Sequence, residues 1–111
     1  MPAVYYLTSK YIGTEQKVGE ILMNAFWAKL VESPSLPEKV IFLGDAVDLA
    51  CEGSDALEDL AILEEKGVEL LLCPICVDYY DEKDKVRVGR MTTMPEAIGI
   101  YQSDDRIVTI S

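Results

Sequence analysis

Apolar positions along the chain follow two alternating rhythms. Ala3-Val4-Tyr5-Tyr6-Leu7-Thr8 is a β-prone run closed by a polar, glycine-containing loop over residues 9–14. From Glu15 the spacing turns helical. Val18, Ile21, Leu22, Ala25, Phe26 and Leu30 recur at i, i+3, i+4 and i+7, which predicts the buried face of one long helix. Met23 and Trp27, four apart, fall on a second apolar face, open either to deep burial or to a subunit interface. Beyond the Ser33-Pro34-Ser35-Leu36-Pro37 turn, residues 39–43 read as a second strand closed by Gly44, and residues 68–72 as a third. Residues 85–89 alternate as a fourth strand, and residues 106–110 form a fifth.

Cap chemistry fills the gaps between these strands. Asp45 and Asp48 suit the start of a short helix that Gly53 stops, since carboxylates there accept from free backbone amides. Asp55 with Glu58 reads as a capping box for a helix carrying Leu57, Leu60, Ala61 and Leu63 and ending at Gly67. A helical stretch is expected over residues 77–84. Thr93 with Glu96, and Pro95 in the first turn, opens another helix running to about Gln102. Strands separated by helices imply βαβ crossovers. The expectation is an α/β fold, a three-layer α/β/α sandwich with a five-stranded, mainly parallel sheet, forming a single domain over residues 1–111. Ligands in such sheets gather beyond the carboxyl ends of the strands, which singles out the loops at residues 9–14, 44–48 and 73–76.

Composition narrows the chemistry. At 111 residues and 50% hydrophobic, one core suffices without a disulfide or a structural metal. Twenty acids against ten bases give a net charge of −10, which repels phosphate and excludes a nucleic-acid partner. Ten of those acids, with only two bases, fall in residues 38–69, and they read as caps and solvated helix faces. There is no histidine. That removes the usual general base, the histidine-activated nucleophiles and every zinc site built on imidazole. Carboxylates, tyrosines, lysines and thiols remain.

The cysteines are Cys51, Cys73 and Cys76, an odd number, and no secretory or membrane-spanning stretch accompanies them. A soluble, cytoplasmic protein with no membrane partner is expected. Cys73-Pro74-Ile75-Cys76 follows a buried strand and enters a helix, where free amides and the helix dipole would lower a thiol's pKa without histidine. The pair is therefore either reactive or structural. A single chain with one CxxC cannot build the usual zinc site, so no metal and no cofactor are expected. Cys51 reads as a small buried hydrophobe. Asp45 and Asp48 could act as acid and base, but capping accounts for them more simply.

Several segments combine into a recognisable pattern. Thr8-Ser9 precedes a long helix containing Gly19-Glu20-Ile21-Leu22-Met23; Glu52-Gly53-Ser54 follows. Then Glu64-Glu65-Lys66-Gly67-Val68-Glu69-Leu70 leads to Cys73-Pro74-Ile75-Cys76-Val77-Asp78-Tyr79-Tyr80. Over nearly the whole chain this resembles the DsrE/DsrF-like family, most closely the C-terminal domain of YedF-type proteins, which are associated with sulfur transfer and selenium metabolism. The resemblance implies a compact sulfur-relay fold that often assembles into trimers or hexameric rings. It also implies that a cysteine six residues after the glycine opening the third strand holds a persulfide. Counted from Gly67, that cysteine is Cys73, and Cys76 is the second thiol of the YedF-like branch. The expected function is a sulfurtransferase-like carrier of persulfide sulfur or selenium, with donor and acceptor proteins as partners. In it Cys73 accepts sulfane sulfur and Cys76 attacks the inner sulfur. A non-catalytic assembly subunit of such a pathway and a dithiol oxidoreductase are the alternatives.

Overall fold

Five short strands carry the apolar runs: β1 (Ala3–Leu7), β2 (Lys39–Phe42), β3 (Glu69–Leu72), β4 (Arg90–Met91) and β5 (Arg106–Ile110). A computed structural model describes residues 3–111. The strands pair in the order β4-β3-β2-β1-β5, and every pair is parallel. Between them lie α1 (Lys17–Leu30), α2 (Leu57–Glu65), α3 (Pro74–Tyr79) and α4 (Met94–Tyr101). A 3-10 helix spans Gly44–Ala50, and a single 3-10 turn spans Lys83–Lys85.

The connectivity decides which face each helix covers. From β1 to β4 the chain steps one strand at a time in one direction, so right-handed crossovers put α1, α2 and α3 on the same face. The return from β4 to β5 runs the other way and puts α4 on the opposite face. Side chains agree with that assignment. Leu7, Val40, Phe42, Leu70 and Leu72 point into the larger core with Met23, Trp27, Leu60, Leu63 and Val77. The alternate residues Val4, Ile41 and Leu71 meet Ile100 of α4 on the other side, flanked by Tyr6, Leu43 and Ile107. The expected three layers are therefore present, and the third is one helix of eight residues.

Helix α1 is rotated from the expected phase, although Leu30 is buried and Phe26 packs against the core as expected. Its buried stripe is Gly19, Met23, Trp27 and Leu30, while Val18, Ile21 and Leu22 face outward, Ile21 at 55% exposure. Gly19 explains the choice. It lies against the β1–α1 loop so closely that a Cβ there would stand 1.8 Å from the Thr14 carbonyl oxygen. Ile12 N–H donates to the Gly19 carbonyl at 3.1 Å. With Gly19 pressed on the loop, residues 23, 27 and 30 must follow it inward, and Trp27 fills the space above Phe42.

Other boundaries shift for local reasons. Thr93 caps α4 as expected, its side chain accepting from Glu96 N–H at 3.2 Å. The Glu96 carboxylate turns instead to Arg90 and Thr92. At α2 the capping box does not form: Ala56 occupies the cap position, and Ser54 Oγ accepts from Ala56 N–H. The fourth strand lies at Arg90–Met91 and not at residues 85–89, because Val86 pairs antiparallel with Cys51 and Gly89 turns the chain toward β3. The third helix starts at Pro74, three residues before the expected start, so that it contains Cys76.

Candidate functional site

The carboxyl ends of β1, β2 and β3 bring together the three loops that the topology singled out. Each is fixed to its neighbour. Lys10 N–H donates to Asp45 Oδ1 at 2.9 Å, and Lys10 Nζ reaches Asp48 Oδ2 at 2.9 Å. Asp45 and Asp48 therefore do not cap the 3-10 helix, whose capping residue is Leu43. They clamp the β1–α1 loop onto it. This contact across 35 residues is what spacing within the helix concealed.

The CxxC pair stands at the end of β3. Cys73 is the capping residue of α3, Pro74 its first residue and Cys76 its third. Cys73 continues the alternation of Leu71 toward the α4 side of the sheet and is 6% exposed. Cys76 is half-buried and packs against the edge of the larger core. Cys73 lies close enough to raise the pKa of Cys76. Gly44 N–H, just beyond β2, donates to Cys76 Sγ at 3.2 Å.

Gly44 can make that bond because of its backbone. Its φ is +59°, and a Cβ would lie 2.6 Å from the Thr8 carbonyl oxygen, so only glycine fits. Leu43 N–H is held by the Leu7 carbonyl at 2.9 Å, which fixes the turn from the β1 side.

At Cys76 burial and neighbouring groups set the electrostatics. Burial pushes the Cys76 thiol up from its ordinary value, and its hydrogen bond with Cys73 pushes it further, while the Gly44 amide works in the opposite direction. On the far side of the pair, burial pushes Tyr101 up to about 12, and Tyr6 and the nearby Cys73 add to the rise. Tyr101 is thus a neutral phenol beside the pair at physiological pH, its ring edge-on to Tyr6 at 5.7 Å between centroids.

The third cysteine does not join this site. Cys51 is buried at the end of the 3-10 helix, its thiol donates to the Val47 carbonyl at 3.3 Å, and burial and the neighbouring Glu82 push it up to about 11. Its expected role as a small buried side chain agrees with this setting.

Two hollows flank the region. One of about 400 Å³, lined by Pro74, Ile75, Val77, Asp78, Lys83 and Met91, opens beside the CxxC turn. Another of about 290 Å³ lies between α1 and the 3-10 helix; its acids Glu20, Asp48, Glu52 and Asp55 face a single lysine, Lys10, and it holds no cysteine. No group of three or more cysteine, aspartate or glutamate side chains among the described residues is arranged to hold a metal ion. No helix among them is long and apolar enough to cross a membrane.

Sequence reasoning found the two cysteines and the three loops. It missed Gly44 as a donor, Tyr6 and Tyr101 as neighbours of Cys73, and Glu82 as a neighbour of Asp48. For Gly44 a signal was present, a glycine at the carboxyl end of a buried strand. The others depend on packing between distant elements.

Comparison with known proteins bears on the fold. No protein-family model matches the chain, and no curated protein matches it. Three solved structures superpose over almost its full length. The ychN protein from E. coli is 18% identical with a TM-score of 0.73, over 99% of this chain and all of its own. MTH1491 from Methanobacterium thermoautotrophicum, a protein of unknown function, is 13% identical with a TM-score of 0.68, over 97% of each chain. BT1422 from Bacteroides thetaiotaomicron, a conserved protein of unknown function, is 13% identical with a TM-score of 0.64, over 97% of this chain and 94% of its own. The chain therefore has the fold of these small α/β proteins.

Proposed function

We propose that the chain is a DsrE/DsrF-like protein, closest to the YedF C-terminal domain, that carries persulfide sulfur or selenium on its Cys73–Cys76 pair in the cytoplasm. The observation that supports this reading most is the pair of free thiols in one CxxC turn at the carboxyl edge of the sheet, one of them accepting a backbone N–H from a neighbouring loop. Two thiols so placed can hold a sulfane sulfur on one and release it with the other.

The carrier would work as a homo-oligomer, a trimer or a hexamer, serving donor and acceptor proteins. The outward stripe Val18, Ile21 and Leu22 on α1 gives that assembly an apolar surface. The same stripe supports the second reading, an assembly subunit without chemistry. Incubation with glutathione persulfide followed by intact-mass measurement separates the two. A carrier gains one sulfur on a variant retaining a single CxxC thiol and none on the Cys73→Ser/Cys76→Ser double variant. No one-sulfur adduct on either single variant would leave the assembly reading.

A further inference from the structure

We propose that Cys76, and not Cys73, is the thiol that takes sulfane sulfur from an incoming persulfide, with Gly44 as its positioning residue and Cys73 as the resolving thiol. This rests on the carrier reading and reverses the order of the two cysteines that the family resemblance implies.

Access comes first. Attack on a sulfur requires the nucleophile in line with the bond being broken, so the attacking thiol must be reachable from solvent. Cys76 is partly exposed, whereas Cys73 is 6% exposed and tucked toward the Tyr6–Tyr101 side of the sheet.

The second argument is the donor. Gly44 N–H lies 3.2 Å from Cys76 Sγ, and among the described residues no backbone N–H reaches the sulfur of Cys73. A hydrogen bond to a sulfur that becomes anionic favours the anion, and one that is already in place needs no reorganisation when the charge forms. The positive φ of Gly44 and its approach to the Thr8 carbonyl keep that N–H in place. Burial opposes ionisation of the resting Cys76 thiol.

The steps balance as follows. The Cys76 thiolate attacks the terminal sulfur of a donor persulfide, R–S–SH; the donor's S–S bond breaks and R–S⁻ leaves with the electron pair and takes up a proton. Cys76 then bears S–SH, which an acceptor nucleophile can draw off. Where none does, Cys73 loses its proton to solvent and attacks Cys76 Sγ. Hydrosulfide leaves with the electron pair, and a Cys73–Cys76 disulfide remains. Two thiols have been oxidised by two electrons and the sulfane sulfur reduced to sulfide.

The full chain and its Cys73→Ser and Cys76→Ser variants are exposed to glutathione persulfide, and mass and released sulfide are followed with time. Cys73→Ser should load one sulfur and keep it, at least about tenfold faster than Cys76→Ser, a difference of about 1.4 kcal/mol in barrier. Wild type should release sulfide and end as the disulfide. Equal or faster loading of Cys76→Ser overturns the assignment and leaves the carrier reading standing, whereas loading of neither variant overturns both. The Gly44 amide proton, followed by NMR in wild type and in Cys73→Ser, should move downfield with the ionisation of Cys76. An amide shift indifferent to that ionisation removes Gly44 from the role.

Discussion

Gly44 N–H donates to Cys76 Sγ at 3.2 Å, joining the end of β2 to the third residue of α3 across 32 positions of sequence. The bond connects two loops of the carboxyl edge, and a third is tied to the same place through Lys10, Asp45 and Asp48. A parallel sheet collects its strand ends on one edge, so residues remote in sequence arrive there together. Here the arrivals are two thiols, a donor amide and a phenol that stays protonated.

Gly44→Ala is expected to be much more damaging than Gly53→Ala. Both residues have positive φ, but a Cβ at Gly53 meets open space, whereas at Gly44 it meets the Thr8 carbonyl at 2.6 Å. Gly53→Ala should cost about 1 kcal/mol from backbone strain alone. Gly44→Ala should cost about 3 kcal/mol or more, since strain and overlap add. Urea denaturation midpoints measure both, and equal losses would contradict the close approach.

Cys76 should alkylate with a midpoint above that of an ordinary thiol. Burial is the largest cause and the hydrogen bond with Cys73 the next, so Cys73→Ala should lower the midpoint without bringing it down to the free value. Rates of iodoacetamide modification against pH, read on the Cys76 peptide, give the curve. A midpoint that rises in Cys73→Ala would show that Cys73 supports the thiolate.

Four strands were legible because each centres on an apolar run bounded by polar or glycine residues, and β5 falls on the expected residues 106–110; β4 was not, since Arg90–Met91 is too short and too polar to stand out. The thiol pair was legible from its spacing and its place after a buried strand. The phase of α1 was not, because the helix carries two apolar stripes and periodicity cannot rank them. The decision belongs to Gly19, whose missing side chain matters only once the β1–α1 loop folds back on it. Asp45 and Asp48 were misread for a similar reason. Capping is a local rule, and both carboxylates are used by Lys10, which lies 35 and 38 residues away. At Cys76 burial raises the pKa once the surrounding core is in place, a contribution that depends on packing and not on the CxxC spacing.

The α1 phase predicts a sharp contrast between neighbouring apolar residues. Trp27 is fully buried and contacts Phe26 and Phe42, so Trp27→Ala should cost about 3–5 kcal/mol. Trp27→Phe should cost less, because the indole Nε1 has no partner among the described residues. Ile21→Ser, on the outward stripe, should change the stability of the isolated chain by no more than about 0.5 kcal/mol. Under the oligomer proposal Ile21→Ser also lowers the sedimenting mass. Urea midpoints at low protein concentration test the phase, and a loss for Ile21→Ser matching that of Trp27→Ala would reverse it.

Glu82 makes stability depend on pH in the direction opposite to most carboxylates. It is 9% exposed, with Oε1 unpartnered among the described residues, and burial followed by the neighbouring Asp48 pushes its pKa up from 4.5 to about 7. Burial also works to raise Asp48, but hydrogen bonds with Glu82 and Lys10 outweigh it and hold that carboxyl below its ordinary value. The folded state thus keeps a proton on Glu82 that the unfolded chain has released. The stability Glu82 contributes is complete below pH 4.5 and is lost as the pH rises through about 7. Glu82→Gln, which stays neutral, should therefore be more stable than wild type at pH 8 by about 1–3 kcal/mol, with no such gain at pH 4. Denaturation of both proteins at the two pH values measures the difference, and an equal effect at each would mean that Glu82 does not titrate between them.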